Sequence, residues 1–337
     1  MHLYGAADKE CDHWHDDAGI LTHHVGVTWV FENSLRMINP ATAAHYWDYT
    51  RELAEGLEWY ESPIFNEQWF GSSSPANSDH IVDSGRFAYT PIMSNAREYS
   101  SITNPYGLLR SPWNTNPVPY LMRHNETFFN FADDFASFPT CLAFSQTLGD
   151  DFSSISDALD GKLHGPVHLM VGGHWGFKSN WKDFGKHYEF ADNFLLLSKV
   201  LWREGFARVP ESCSADTPHD ECVTRCPSSI VTPNGEEMTN ARARRILESV
   251  NVFALTPGAD DNGYDWWEAM FQEYGDDSLN WVSLLEELCH FGSAGEMFTS
   301  SAPQDPLFWP LHGNAERFVQ YLRVLKQEGV IEFDETW

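Results

Sequence analysis

The stretch HGPVHLMVGGHWG, residues 164–176, places His164 and His168 four positions apart and follows them with Gly172-Gly173. On a helix of about 3.6 residues per turn, side chains at i and i+4 project to the same side, so two imidazoles so spaced can share one metal ion. In a chain with 15 histidines the same spacing also arises by chance on an ordinary helix, and the pair alone decides little. A zinc-protease site needs a Glu directly after the first His to act as base; Gly165 stands there, which removes that reading. Other histidines extend the set. An N-terminal group contains His2, His13, His15, His23 and His24, and His312 lies late in the chain within DPLFWPLHGNAERF. Imidazole-only sets favour copper, zinc or iron over calcium or magnesium, and six nitrogens suffice for two ions with three ligands each.

These residues need elements to position them, and apolar spacing predicts three helices. The first spans roughly His24 to Ile38, where Val27, Phe31 and Leu35 share the face of His24, and it ends before Asn39-Pro40. A short second helix runs from about Leu163 to Val171, with Pro166 tolerable in its first turn and Gly172 suited to its end. The third covers about Leu311 to Lys326, with Ala315, Phe318, Leu322 and Leu325 inward and Gly329 just beyond. Between about Glu61 and Asn125 the chain is rich in Gly, Ser, Pro and Asn and reads as long irregular loop, of the kind that walls a site. Helical stretches such as ADNFLLLSKVLWREGF and TNARARRILESV occupy part of the region from about Lys178 to Leu288. That region reads as an insertion into one domain spanning residues 1–337. Alternating strand patterns are scarce, and the class is mainly α.

Composition bounds the partners. With 42% hydrophobic residues the chain can bury a large core. A formal charge of −28 opposes binding to nucleic acid or to anionic membrane surfaces. No uncharged apolar stretch of about 18 or more residues exists, and the opening MHLYGAADKECDHWHDD lacks the basic start and apolar run of a signal peptide. Among six cysteines, Cys213, Cys222 and Cys226 sit in a polar, Pro-containing stretch that suits a disulfide-tied surface loop; a zinc site with His219 is the rival, weakened by the lack of a CxxC pair. Together with the glycosylation sequon Asn125-Glu126-Thr127, this leads us to expect a secreted protein.

The ordered motifs resemble the tyrosinase, catechol oxidase and hemocyanin group of coupled dicopper proteins. In that family's first copper half, a helical His is followed by an F-E pair and a YWD-type motif; here these are His24, Phe31-Glu32 and Tyr46-Trp47-Asp48. The preceding ligand, usually some nine residues earlier, falls on His15, and the first falls on His2. In the second half, H-x-x-x-H and two glycines match His164, His168, Gly172 and Gly173. A distant D-P-x-F with the last ligand matches Asp305-Pro306-Leu307-Phe308 and His312, and Gly295-Glu296-Met297 is similar to the family's methionine segment. The resemblance implies a four-helix-bundle core around two copper ions, held by His2, His15 and His24 and by His164, His168 and His312. Phe308 resembles the aromatic that lies over the copper pair, and a core phenylalanine reads the same. Asp48, Glu32 and Glu316 are candidates for accepting the second N–H of ligand imidazoles or for helix-surface charges.

The implied activity is copper-dependent oxidation of o-diphenols to o-quinones by O₂, with small phenols as substrates and the oligomeric state open. Reversible O₂ carriage, as in hemocyanins, and a zinc-bound or inactive relative are the alternatives. Several positions depart from the family pattern. Val25 stands in place of an Arg, Leu311 in place of a His, and Gly165 where hydroxylating members often carry Asn, which leaves monophenol hydroxylation open. The long interval from His168 to His312 keeps His174 and His290 as outside candidates. Cys11 could form the family's thioether with His13 or His15, a disulfide, or stay a thiol. The N-terminal part of the domain is expected to lie outside this chain.

Overall fold

A computed structural model describes residues 2–6, 12–15, 18–93, 118–126, 137–175, 198, 200–202, 204–208, 218, 224–250, 281–290 and 293–336. The fold is mainly α. Among the described residues its helices are α1 (His2–Ala6), α2 (Gly19–Ile38), α3 (Thr50–Ala54), α4 (Cys141–Ser145), α5 (Phe152–Ala158), α6 (Gly165–Gly172), α7 (Ser228–Val231), α8 (Asn240–Ser249), α9 (Trp281–Cys289) and α10 (Phe308–Gln327). The expected four-helix core is met by unequal partners: two helices of 20 residues, α2 and α10, with the shorter α1 and α6 closing on them.

Helix α2 starts five residues before its expected boundary, because Gly19, Ile20 and Leu21 extend the buried face toward the N-terminus; Thr28 carries that face one turn past His24. Val27, Phe31 and Leu35 are only half-buried. The helix stops where the Asn39 N–H bonds Leu35 O and Pro40 follows. Helix α10 crosses α2 with Trp309 stacked on Phe31, their centroids 4.0 Å apart. Pro310 lies in its first turn, where a missing N–H costs nothing, and Gly329 beyond its end takes a positive φ of 67°.

Helix α6 follows a π-turn, Leu159–Leu163, whose Leu163 carbonyl accepts the buried Tyr49 hydroxyl at 2.6 Å. Its two terminal glycines have separate jobs. A Cβ on Gly172 would collide with Phe298 and one on Gly173 with the His124 carbonyl, and Gly173 also needs φ 68° to turn the chain out of the helix. The core beneath the histidines is continuous: Leu159, Leu163, Val167 and Val171 meet Leu307, Phe308, Leu311 and Ala315.

Strands β1 (His174–Trp175) and β2 (Ser293–Ala294) pair antiparallel, His174 opposite Ala294. The chain therefore leaves α6 and returns before α10 at the same place. Within the excursion, α8 is capped by the Thr239 hydroxyl and packs on α9, where Arg244 lies over the Trp281 ring. Cys226 is disulfide-bonded to Cys289 at the end of α9, which ties this end of the cysteine stretch as expected and supplies the pairing that the sequence left open. Cys11, Cys213, Cys222 and Thr127 of the sequon lie outside the described residues, and Cys141 is a free, exposed thiol.

The stretch 61–93 is irregular as expected, but it is tied down. The fully buried Arg123 reaches Asp305 with Nε at 2.7 Å and Nη2 at 2.5 Å, while Nη1 donates to Phe70 O at 2.9 Å. Asp305 in turn accepts the Leu307 N–H at 2.9 Å, so one ion pair fastens the loops to the turn that launches α10. Removing one partner of a buried pair strands the other charge at a cost of about 3–5 kcal/mol. Arg123→Ala should lower the unfolding free energy by that amount in urea titration; an unchanged midpoint would show that Asp305 finds compensation elsewhere.

Candidate metal centre

Six buried histidines gather in two groups, His2 with His15 and His24, and His164 with His168 and His312; within each group the ligand atoms lie within 4.8 Å of one another. His2 comes from α1 and His24 from α2. His15 sits in a turn made by Asp12, whose carboxylate accepts the N–H groups of Trp14 (3.1 Å) and His15 (3.2 Å). His164 precedes the first residue of α6, His168 stands one turn inside it, and His312 is in the second turn of α10. His174 stacks near Phe298 in β1, and His290 directly follows α9; neither joins a group. His13, His23 and His45 are exposed.

The second nitrogen of three rings shows which way each imidazole is held. Nδ1 of His2 meets Ser300 O at 2.9 Å, Nδ1 of His168 meets Met297 O at 3.1 Å, and Nδ1 of His15 meets the Asp12 carboxylate at 2.8 Å. Carbonyls and carboxylates only accept, so each of these Nδ1 atoms carries the proton and each Nε2 is left with a bare lone pair. The Nε2 atoms of His164, His168 and His312 nevertheless stand 3.0, 3.0 and 3.1 Å apart, and those of His2 and His24 3.3 Å. Ring nitrogens gathered this closely have the spacing of donor atoms around one ion. The centre of a triangle with sides of about 3 Å is about 1.8 Å from each corner, close to the roughly 2.0 Å of a metal–imidazole bond. The residues present therefore fit metal ions.

The two groups share a wall. The His24 and His312 rings stack at 4.2 Å, 5° from parallel. Phe308, fully buried, lies 4.0 Å from the His312 ring, 5.5 Å from His2 and 5.8 Å from His168, so it touches both groups. Trp14 closes on His2 and His24 at 4.8 and 5.1 Å. Burial, followed by the neighbouring His24, His164, His168 and His2, holds His312 well below the usual histidine range. It is thus neutral, the form that ligates.

The orienting acid is Asp12, three residues before His15, which sequence reasoning missed; an Asp opening a tight turn was the available signal. The three acids expected in that role do otherwise. Asp48 accepts from the Thr50 hydroxyl at 2.7 Å, Glu32 from the Ala44 N–H at 3.0 Å, and Glu316, pushed up to about 7 mainly by burial, makes no hydrogen bond to a ligand imidazole. Leu311 belongs to the apolar core and Val25 is half-buried; neither interrupts the two groups.

A family model described as tyrosinase, common central domain of tyrosinase, matches residues 1–183. No curated protein matches the chain. The family match takes in five of the six histidines, and the contacts of His312 with His164 and His168 bring in the sixth.

Two outcomes follow from the turns that hold His168 and His164. Glu296, fully buried beside Met297, accepts the Met122 N–H at 2.8 Å, and burial above all pushes its carboxyl from 4.5 up to about 8. An acid with a raised folded value contributes stability that is complete below its unfolded value and lost as pH rises through the folded one. Melting curves between about pH 5 and about pH 9 should fall less steeply for Glu296→Gln than for the parent protein; parallel slopes would exclude this carboxyl as the source. At Gly165 any Cβ would meet the Asp160 carbonyl of the π-turn. Gly165→Ala should therefore destabilise the fold by about 1–3 kcal/mol in chemical denaturation, against no change if the turn yields freely.

Proposed function

Because the chain belongs to the tyrosinase family, copper proteins acting on phenols with O₂, we propose that it is an o-diphenol oxidase. In this reading His2, His15 and His24 hold one copper ion and His164, His168 and His312 the other. The observation that carries it is the pair of buried triads, aimed inward and sharing the His24–His312 wall. A bound copper pair supplies a two-electron couple between a catechol and O₂. The chain's own residues supply the rest. Asp12, Ser300 and Met297 keep three imidazoles in the tautomer that faces the ions. Phe308 and Trp14 exclude water from the space between the groups. The charge of −28 does not hinder a neutral phenol or O₂.

Gly165 and the carbonyl of Asp160 bear on substrate range. The position that often carries Asn in hydroxylating relatives has no room for a side chain on this backbone, which supports diphenol oxidation over monophenol hydroxylation. The Cys226–Cys289 disulfide supports an oxidising compartment and hence secretion. The clasp of β1 on β2 supports one domain over residues 1–337 with residues 178–288 inserted in it.

Metal analysis with a turnover assay tests the proposal. About two coppers per chain and O₂-dependent quinone formation from catechol are expected, with His168→Ala falling to about one copper and losing activity. Copper binding with O₂ uptake but no quinone would instead identify a carrier, and zinc in the triads would end the oxidase reading.

A further inference from the structure

A cavity of about 990 Å³ runs alongside the first turn of α10, and none of the six histidines lines it. Its walls are mostly apolar, with Phe31, Trp47, Trp69, Phe70, Phe87 and Trp309 among them, and they carry the charged side chains of Asp48, Arg51, Glu52, Glu55 and Arg86. The stacked Phe31–Trp309 pair and the Phe70–Phe87 pair, 5.0 Å between centroids, contribute to its walls. This volume and character suit a small organic ligand, since such sites are concave, mostly aromatic and provided with a few polar groups.

The charges on the wall select among ligands. Each acid is already engaged: Glu52 accepts from the Trp47 indole at 2.8 Å and the Ser62 hydroxyl at 2.6 Å, Asp48 accepts from Thr50 and faces Arg317 at 3.8 Å, and Glu55 faces Arg51 at 3.5 Å. Arg86 differs. Its Nε donates to Gln68 O at 2.7 Å and its guanidinium lies 4.9 Å from the centre of the Trp69 ring, but it has no carboxylate partner among the described residues. A guanidinium held against an aromatic face, with its terminal N–H groups unclaimed by an acid, is matched to a planar anion that accepts two hydrogen bonds. Half-exposed Trp69 offers the same ligand a surface on which to stack.

We propose that this cavity is a second binding site, separate from the metal centre, for a planar aromatic carboxylate whose acid group pairs with Arg86 and whose ring lies among the wall's aromatic side chains. The assignment does not depend on which ions the triads hold or on what they catalyse.

The test is equilibrium binding of fluorescent 2-naphthoate to the copper-loaded protein, with and without saturating azide to occupy open positions on the metal. One-to-one saturable binding that azide leaves unchanged is expected. Arg86→Gln and Trp69→Ala, both at exposed positions, should each weaken it by about tenfold or more, and Arg86→Lys by less because it retains the charge without the fork. The absence of saturable binding, an affinity in Arg86→Gln or Trp69→Ala equal to that of the parent protein, or displacement by azide would each overturn the proposal; the last would move the ligand to the histidines.

Discussion

The convergence of three buried imidazole Nε2 atoms to within about 3 Å of one another is the constraint on which the rest of this structure depends. Gathering the rings in this way costs their hydration, which a bound cation offsets. The scaffold must therefore hold each ring rigidly from behind. The Met297 and Ser300 carbonyls do so from one turn and the Asp12 carboxylate from another. Phe308 lies against the rings with no group that could compete for a ligand nitrogen, and Trp14 closes on His2 and His24.

The second half of the site was largely legible in the sequence. Spacing of four on a helix put His164 and His168 on one side, and Pro166 and the glycine pair bounded that helix to within a residue or two. Helix α10 was also readable from its apolar stripe and Gly329 just beyond, although it starts three residues before the expected Leu311. The first half was harder. His15 sits in a turn rather than on a periodic element, and His2 is on a helix of five residues, too short for any pattern; only the family's motif order pointed to them.

What sequence could not reveal were pairings between distant residues. The partner of Asp305 is Arg123, 182 residues away, and the partner of Cys226 is Cys289, 63 residues away. Neither has a local signature. For Glu32 and Asp48, which could equally orient imidazoles or serve as helix-surface charges, the second reading holds: they serve backbone, hydroxyl or arginine partners. Proximity along a helix does not choose an acceptor, whereas the direction of the ring nitrogen does.

The two-stranded clasp carries a consequence for how such a chain can change over time. Because His174 and Ala294 stand side by side, the separation in space between His168 and His312 is independent of how much polypeptide connects them. Closing a longer connection adds only a logarithmic entropy cost. The region between the strands is thus free to be lengthened, trimmed or exchanged for another module, and selection on surface traits can proceed there without disturbing the metal ligands.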